Sequence, residues 1–276
     1  MRLRVEHAST YRFDPPMRGV VQSLRLTPSA CENQQVIDWR IDIEGAARGA
    51  GFRDGAGDWV ETSMHLGPVD EVTVVVAGEV ETTDLGGVLR GHRERISPDA
   101  YLRPTRATKA DRALSDLAQE AVAGLAPDAI LDRAHALSRA VEAAIAYVPG
   151  ETRAGTSAAE ALELGRGVCQ DHAHALIATA LSLEIPARYV TGYLFSTGDD
   201  TPAQEASHAW AELFIPNLGW VGFDPSNGTC PDERYIRLGS GGDAAEAAPI
   251  RGVSQGQGEE NLDVRVVVRQ EQTQQQ

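Results

Sequence analysis

Polar and apolar positions alternate along the first third of the chain. Leu3, Val5, His7, Ser9, Tyr11 and Phe13 fall on one side of a period-two pattern. Ile37, Trp39, Ile41 and Ile43 do the same, as do Val72, Val74, Val76 and Val80. Alternation of this kind predicts strands with one buried face. The stretches "DPP", "TPS" and "RDGAGD" between them are turn material. Residues 1–95 therefore predict a strand-rich, β-sandwich-like domain.

The period changes near residue 96. Residues 96–107 carry two prolines and predict a linker. Thr108 is the expected cap of a helix striped by Ala110, Ala113, Leu114, Leu117, Ala121 and Val122. Gly124 closes it, and Pro127 is expected to open a second helix with Ile130, Leu131, Ala134, Leu137, Val141 and Ile145 on one face. Ser157 and Glu160 have capping-box spacing for a short third helix ending at Gly165. A fourth follows with Cys169, Ala173, Leu176, Ile177, Ala180 and Leu183 on one stripe.

After Pro186 the period returns to two. "ARYVTGYLF", "SHAWAELFI" and "WVGFDPS" predict three strands, and "RVVV" near the end a fourth. Residues 239–260, rich in Gly, Ala and Glu, suggest an exposed loop, and residues 269–276 a polar tail. Helices followed by antiparallel strands make residues 108–268 an α+β core in which the cysteine helix leads into the sheet.

Composition narrows the function. The 276 residues suffice for a core without covalent staples. A formal net charge of -15 argues against a nucleic-acid partner, which would need clustered Lys and Arg. Three cysteines, Cys31, Cys169 and Cys230, are no disulfide framework and point to a reducing compartment. The first residues do not look like a signal peptide, and no run approaches the roughly 18 apolar residues of a membrane span. The expectation is a cytoplasmic protein without a membrane partner.

Cys169 stands out by position. Gly165 and Gly167 precede it, and it starts a helix, where the dipole and free backbone N–H groups favour a thiolate. The same N–H groups could hold an oxyanion. A thiol nucleophile needs a base with an orienting partner. His208 opens one strand, with Trp210 on the same face, and Asp224 ends the next, the two joined by the turn "PNLG". If Ile215 pairs with Trp220, His208 falls opposite Asn227 rather than Asp224, so a bulge or a longer loop is needed, and Asn227 rivals Asp224. Gln170, following the cysteine, is a candidate oxyanion donor. Trp210 and Trp220 read as core or cleft-wall residues. Arg188 and Tyr193 read as structural, and Cys31 and Cys230 as ordinary thiols.

The stretches "GVCQDHAHALIATALSLEIPARYVTGYL", "SHAWAELFIPNLGWVGFDPSNG" and "PIRGVSQGQG", with "LRVEHASTYRF" and "VQSLRLTPS" before them, resemble the bacterial transglutaminase-like family, whose members are often described as cysteine proteases. The resemblance spans about residues 2–268. It implies a papain-like core in which Cys169 is nucleophile, His208 base and Asp224 orienting acid, with a thioester intermediate, no cofactor, and a protein or peptide substrate. This chain departs from the family pattern twice. His172 stands where an aromatic is usual, and "GSGGDAAEAAP" lacks the Arg and Tyr of an Arg-Asp-Tyr run. The activity implied is acyl transfer from glutamine carboxamides or cleavage of peptide bonds. Two other readings remain. One is a catalytically silent binding scaffold. The other is a zinc hydrolase using Cys169 and His172, for which converging third and fourth ligands are lacking, His174 reading as a packed histidine.

Overall fold

The computed structural model describes residues 1–196 and 207–271. The acidic stretch around Asp199 and the final glutamines lie outside the described residues. The N-terminal part forms β1 (Arg2–Leu24), β2 (Gln34–Ile43), the short strands β3 (Ala47–Arg48) and β4 (Phe52–Arg53), and β5 (Trp59–Thr82). β1 and β5 pair antiparallel along nearly their whole length. Leu3, Val5, Val74, Val76 and Val80 are fully buried, while Arg4, Val75, Ala77 and Glu79 on the opposite face are exposed or half-buried, as alternation requires. The "DPP" stretch is not a turn. It lies within β1, where the register against β5 shifts between Arg12 and Gly19. Prolines at such an irregularity cost no ladder hydrogen bond.

A 3-10 turn (Pro98–Leu102) leads into the core. There α1 (Arg112–Ala121), α2 (Ile130–Ala144), β6 (Ala146–Tyr147), α3 (Ala158–Leu164), β7 (Arg166–Gly167) and α4 (Cys169–Ser182) precede β8 (Ala187–Leu194), β9 (Ser207–Ile215), β10 (Gly219–Phe223) and β11 (Tyr235–Gly241). Asp111, not Thr108, caps α1, its carboxylate accepting the Leu114 N–H at 2.9 Å. Thr108 is buried and accepts from the Thr105 N–H. Pro127 sits in a turn ahead of α2 rather than at its first position. The Ser157–Glu160 capping box and the left-handed Gly165 bound α3 as the sequence predicts.

The core sheet is antiparallel, ordered β10-β9-β8-β11. β11 lies where the sequence suggests the start of an exposed loop. Every residue of it is buried, so no alternation marked it. The loop shrinks to residues 242–249, mostly half-buried, because β12 (Ile250–Gln255) and β13 (Glu259–Gln270) follow. Both return to the N-terminal sheet and pair with the two halves of β1.

Three layers result. The inner face of the N-terminal sheet buries Leu3, Leu24, Val74 and Val76 against Tyr193, Ile236 and Leu238 of the core sheet. The other face of that sheet, with Ala209, Ala211 and Leu213, packs on the helices. At the centre α4 is buried on every side, with Ala173, Ala175, Leu176, Ile177, Ala178 and Ala180 fully inaccessible. It is therefore a core helix and not an amphipathic surface one. No helix among the described residues is long and apolar enough to cross a membrane.

Charged side chains join the layers. Arg188 and Arg237 share Glu212, with Arg188 Nε 2.7 Å from Glu212 Oε2 and Arg237 Nε 2.9 Å from Glu212 Oε1. Arg237 also reaches Asp58 at 2.7 Å and Ser29 at 2.6 Å, and Arg188 meets Glu94, just ahead of the linker, and the Trp220 ring. Burial alone would raise the Glu212 carboxyl, but the two guanidinium groups hold it down to about 2.

Candidate active site

The turn before α4 is built by local constraints. β6 and β7 form a two-stranded parallel ladder, with Ala146 opposite Arg166 and Tyr147 opposite Gly167. Asp171 reaches back from the first turn of α4, and its Oδ2 accepts the Val168 N–H at 2.8 Å and the Thr152 hydroxyl at 2.6 Å. Gly167 makes room for it, since a Cβ there would lie 2.7 Å from Asp171 Cβ and Oδ2. Gly167→Ala is expected to push Asp171 out of this cap and lower both stability, by about 1–3 kcal/mol, and turnover. A thermal melt beside an activity assay checks both.

Cys169, half-buried, opens α4. Intrahelical bonding begins with Asp171 and His172, whose N–H groups both meet the Val168 carbonyl. The Cys169 and Gln170 N–H groups stand ahead of it, as at any helix start. The Gln170 side chain is tied down, its Nε2 donating to the Ala154 carbonyl at 3.1 Å. It braces the neighbouring loop and is not left free for an oxyanion.

β9 and β10 bring His208 and Asp224 together, and the hairpin is one residue tighter than the sequence reading assumed. Ile215 pairs with Gly219, not Trp220. Asn217 and Gly219 adopt the left-handed conformations that this short loop demands. A one-residue slip flips the facing of a strand. Continued by one step, the true register sets Asp224 opposite Trp210, two residues from His208 and on its face. No bulge is required, and His208 Nε2 lies 2.7 Å from Asp224 Oδ2.

Asp224 is fully buried and richly donated to. Oδ1 accepts from the Ser226 N–H at 3.0 Å and its hydroxyl at 2.6 Å. Oδ2 accepts from Asn227 Nδ2 at 2.7 Å and the Tyr235 hydroxyl at 2.8 Å, besides His208. Burial would raise this carboxyl, but His208, Asn227 and Ser226 hold it down to about 2. Asn227 is thus no rival to Asp224, because its amide supports the carboxylate that meets the imidazole. Tyr235 and Ser226 were not legible as site residues. Tyr235 belongs to the fully buried β11, and Ser226 acts through a tight turn closed by Asp224 and Thr229.

Cys169 also acts on His208, its hydrogen-bonding group and its charge both favouring the imidazolium. With Nε2 engaged by Asp224, Nδ1 is the nitrogen left for the thiol. Burial opposes the imidazolium, yet the bonds to Asp224 and Cys169, together with their charges, push it up to about 10. Trp210, almost fully buried, stacks on His208 at 6.4 Å between ring centres and meets Tyr235 edge-on at 5.5 Å. It backs the imidazole.

The other candidates are engaged elsewhere. His172 is buried with each ring nitrogen against a backbone carbonyl, so neither is turned to a metal. His174 accepts the Ala244 N–H at 3.0 Å, and burial pushes its imidazole down to about 4. It anchors the 242–249 segment on α4. Among the described residues no three His, Cys, Asp or Glu side chains gather as metal ligands. Burial pushes the Cys31 and Cys230 thiols up, and neither lies at a helix start.

A cysteine at a helix start, facing a His–Asp pair on an antiparallel sheet with helices on one side, is a papain-like α+β arrangement. The chain belongs to the transglutaminase-like superfamily. Residues 115–225 match the transglutaminase-like superfamily core and residues 3–81 the bacterial transglutaminase-like N-terminal region. It is 31% identical to an uncharacterized protein of Mycobacterium leprae, over 97% of this chain and 98% of that one. It is 28% identical to an uncharacterized protein of Mycobacterium bovis, over 91% of this chain and 87% of that one. A solved Cytophaga hutchinsonii protein described as a candidate cysteine protease shares the fold, with TM-score 0.74 at 21% identity over 99% of this chain and 92% of that one.

Proposed function

We propose that the protein is a thiol-dependent acyl transferase acting on carboxamide or peptide carbonyls. The observation that carries this reading is the buried His208–Asp224 pair, 2.7 Å apart, beside a cysteine at a helix N-terminus that favours the imidazolium. The helix start and the imidazolium both favour thiolate at Cys169. The thiolate adds to the substrate carbonyl, and the oxygen, now negative, is received by the backbone N–H groups at the start of α4. His208 gives its proton to the departing amine or ammonia as the thioester forms. In the second half His208 takes a proton from water or a primary amine, which attacks the thioester and frees Cys169. Asp224 keeps the imidazole oriented throughout and stabilises its charged form whenever it carries the second proton.

Intact-mass spectrometry after mixing with acyl donors tests the reading. A glutamine peptide or a cleavable peptide is expected to leave a thioester adduct on Cys169 that added amine discharges. Cys169→Ala is expected to form none. No adduct with any donor, or equal turnover by Cys169→Ala, would overturn it.

A further inference from the structure

His172 follows Cys169 by three residues, which places both side chains along one side of the first turn of α4. It is only 2% exposed. Its Nδ1 lies 2.9 Å from the Val168 carbonyl oxygen and its Nε2 lies 2.8 Å from the Ile145 carbonyl oxygen. A carbonyl oxygen only accepts, and a neutral imidazole has only one N–H. In a neutral ring one lone pair would therefore press on a carbonyl oxygen at hydrogen-bond distance, buried from water. Both contacts are hydrogen bonds only when both nitrogens carry protons.

We propose that His172 is a cationic clamp, donating from both nitrogens to the Val168 and Ile145 carbonyls and lending its charge to the Cys169 thiolate. This rests on the reading of Cys169 as nucleophile. The ring joins the residue before Cys169 to the C-terminal end of α2, so it is a positioning residue as well as a charge. Its surroundings suit a cation. Asp171 and Cys169 are beside it on α4, and Tyr147 of β6 lies 6.3 Å away between ring centres. Arg166 of β7 is turned to Glu151, and the other positive group at Cys169, the His208 imidazolium, is paired with Asp224. The positive end of the helix opposes a cation here, and the two carbonyl dipoles with the Asp171 carboxylate offset it.

Two measurements test the proposal. In the histidine-labelled protein at pH 6, side-chain nitrogen NMR is expected to show both His172 nitrogens protonated. A single protonated nitrogen would overturn it. In His172→Phe, which keeps a ring of similar shape, iodoacetamide alkylation of Cys169 at pH 6 is expected to fall about tenfold. Rates near pH 9 are expected to be unchanged. An unaltered profile beside a doubly protonated ring would overturn the charge support. If Cys169 in the parent protein reacted as an ordinary thiol, acyl transfer would fail instead, and the NMR result would still decide the state of His172.

Discussion

Asp224→Asn is expected to lower kcat by about 10³–10⁴-fold while leaving the protein folded. The amide keeps nearly the shape of the carboxylate, but its single oxygen can accept on only one side, from Ser226 or from Tyr235. It cannot supply the negative charge that pairs with His208 at 2.7 Å. The pH profile carries a second signature. His208 is held up to about 10 in the folded protein, above the roughly 6.5 of a free imidazole. Its charged form therefore persists above the free value and is lost as pH rises through about 10. Without Asp224, the alkaline limb of activity moves down toward the free imidazole value. The same pair contributes to stability with the same sign, fully present below about 6.5 and fading as pH climbs. A pH–rate profile of both proteins checks the shift, and an unmoved alkaline limb would contradict the assigned role of Asp224.

Glu212→Ala is expected to cost about 3–5 kcal/mol of stability. The loss comes from what the substitution leaves behind. Arg188 and Arg237 are buried between the sheets, and each would lose a carboxylate oxygen at 2.7–2.9 Å. Glu94 and Asp58 remain, but neither compensates both cations. The pH dependence follows from the depressed Glu212 carboxyl. Its contribution is present above the unfolded value near 4.5 and is lost as pH falls through about 2. Urea unfolding at pH 7 compares the two proteins. A difference under about 1 kcal/mol would mean that the sheets are held by apolar contacts alone.

The chain disclosed its candidate site more readily than its layering. Cys169, His208 and Asp224 were legible because each sits in a short motif at the end of an element, where periodicity breaks. The one-faced strands β1 and β5 were legible because alternation is written into Leu3–Phe13 and Val72–Val80. The capping box of α3 was complete within four residues. β11 was illegible because burial on both faces removes alternation. The pairing of β12 and β13 with β1 joins residues some 250 positions apart, and no local pattern encodes that. The His208–Asp224 register failed by one residue because it turned on loop geometry at Asn217 and Gly219. The Arg188–Glu212–Arg237–Asp58 network draws on segments that are neighbours only after folding.

The most direct test of the central claim is the alkylation rate of Cys169 at pH 6 in the parent protein and in His208→Ala. The pairing of thiolate with imidazolium predicts a rate at least about tenfold above that of a free thiol, falling several-fold toward the free-thiol rate when the imidazole is removed. A parent protein whose Cys169 reacts no faster than a free thiol, with His208→Ala indistinguishable from it, would contradict the account.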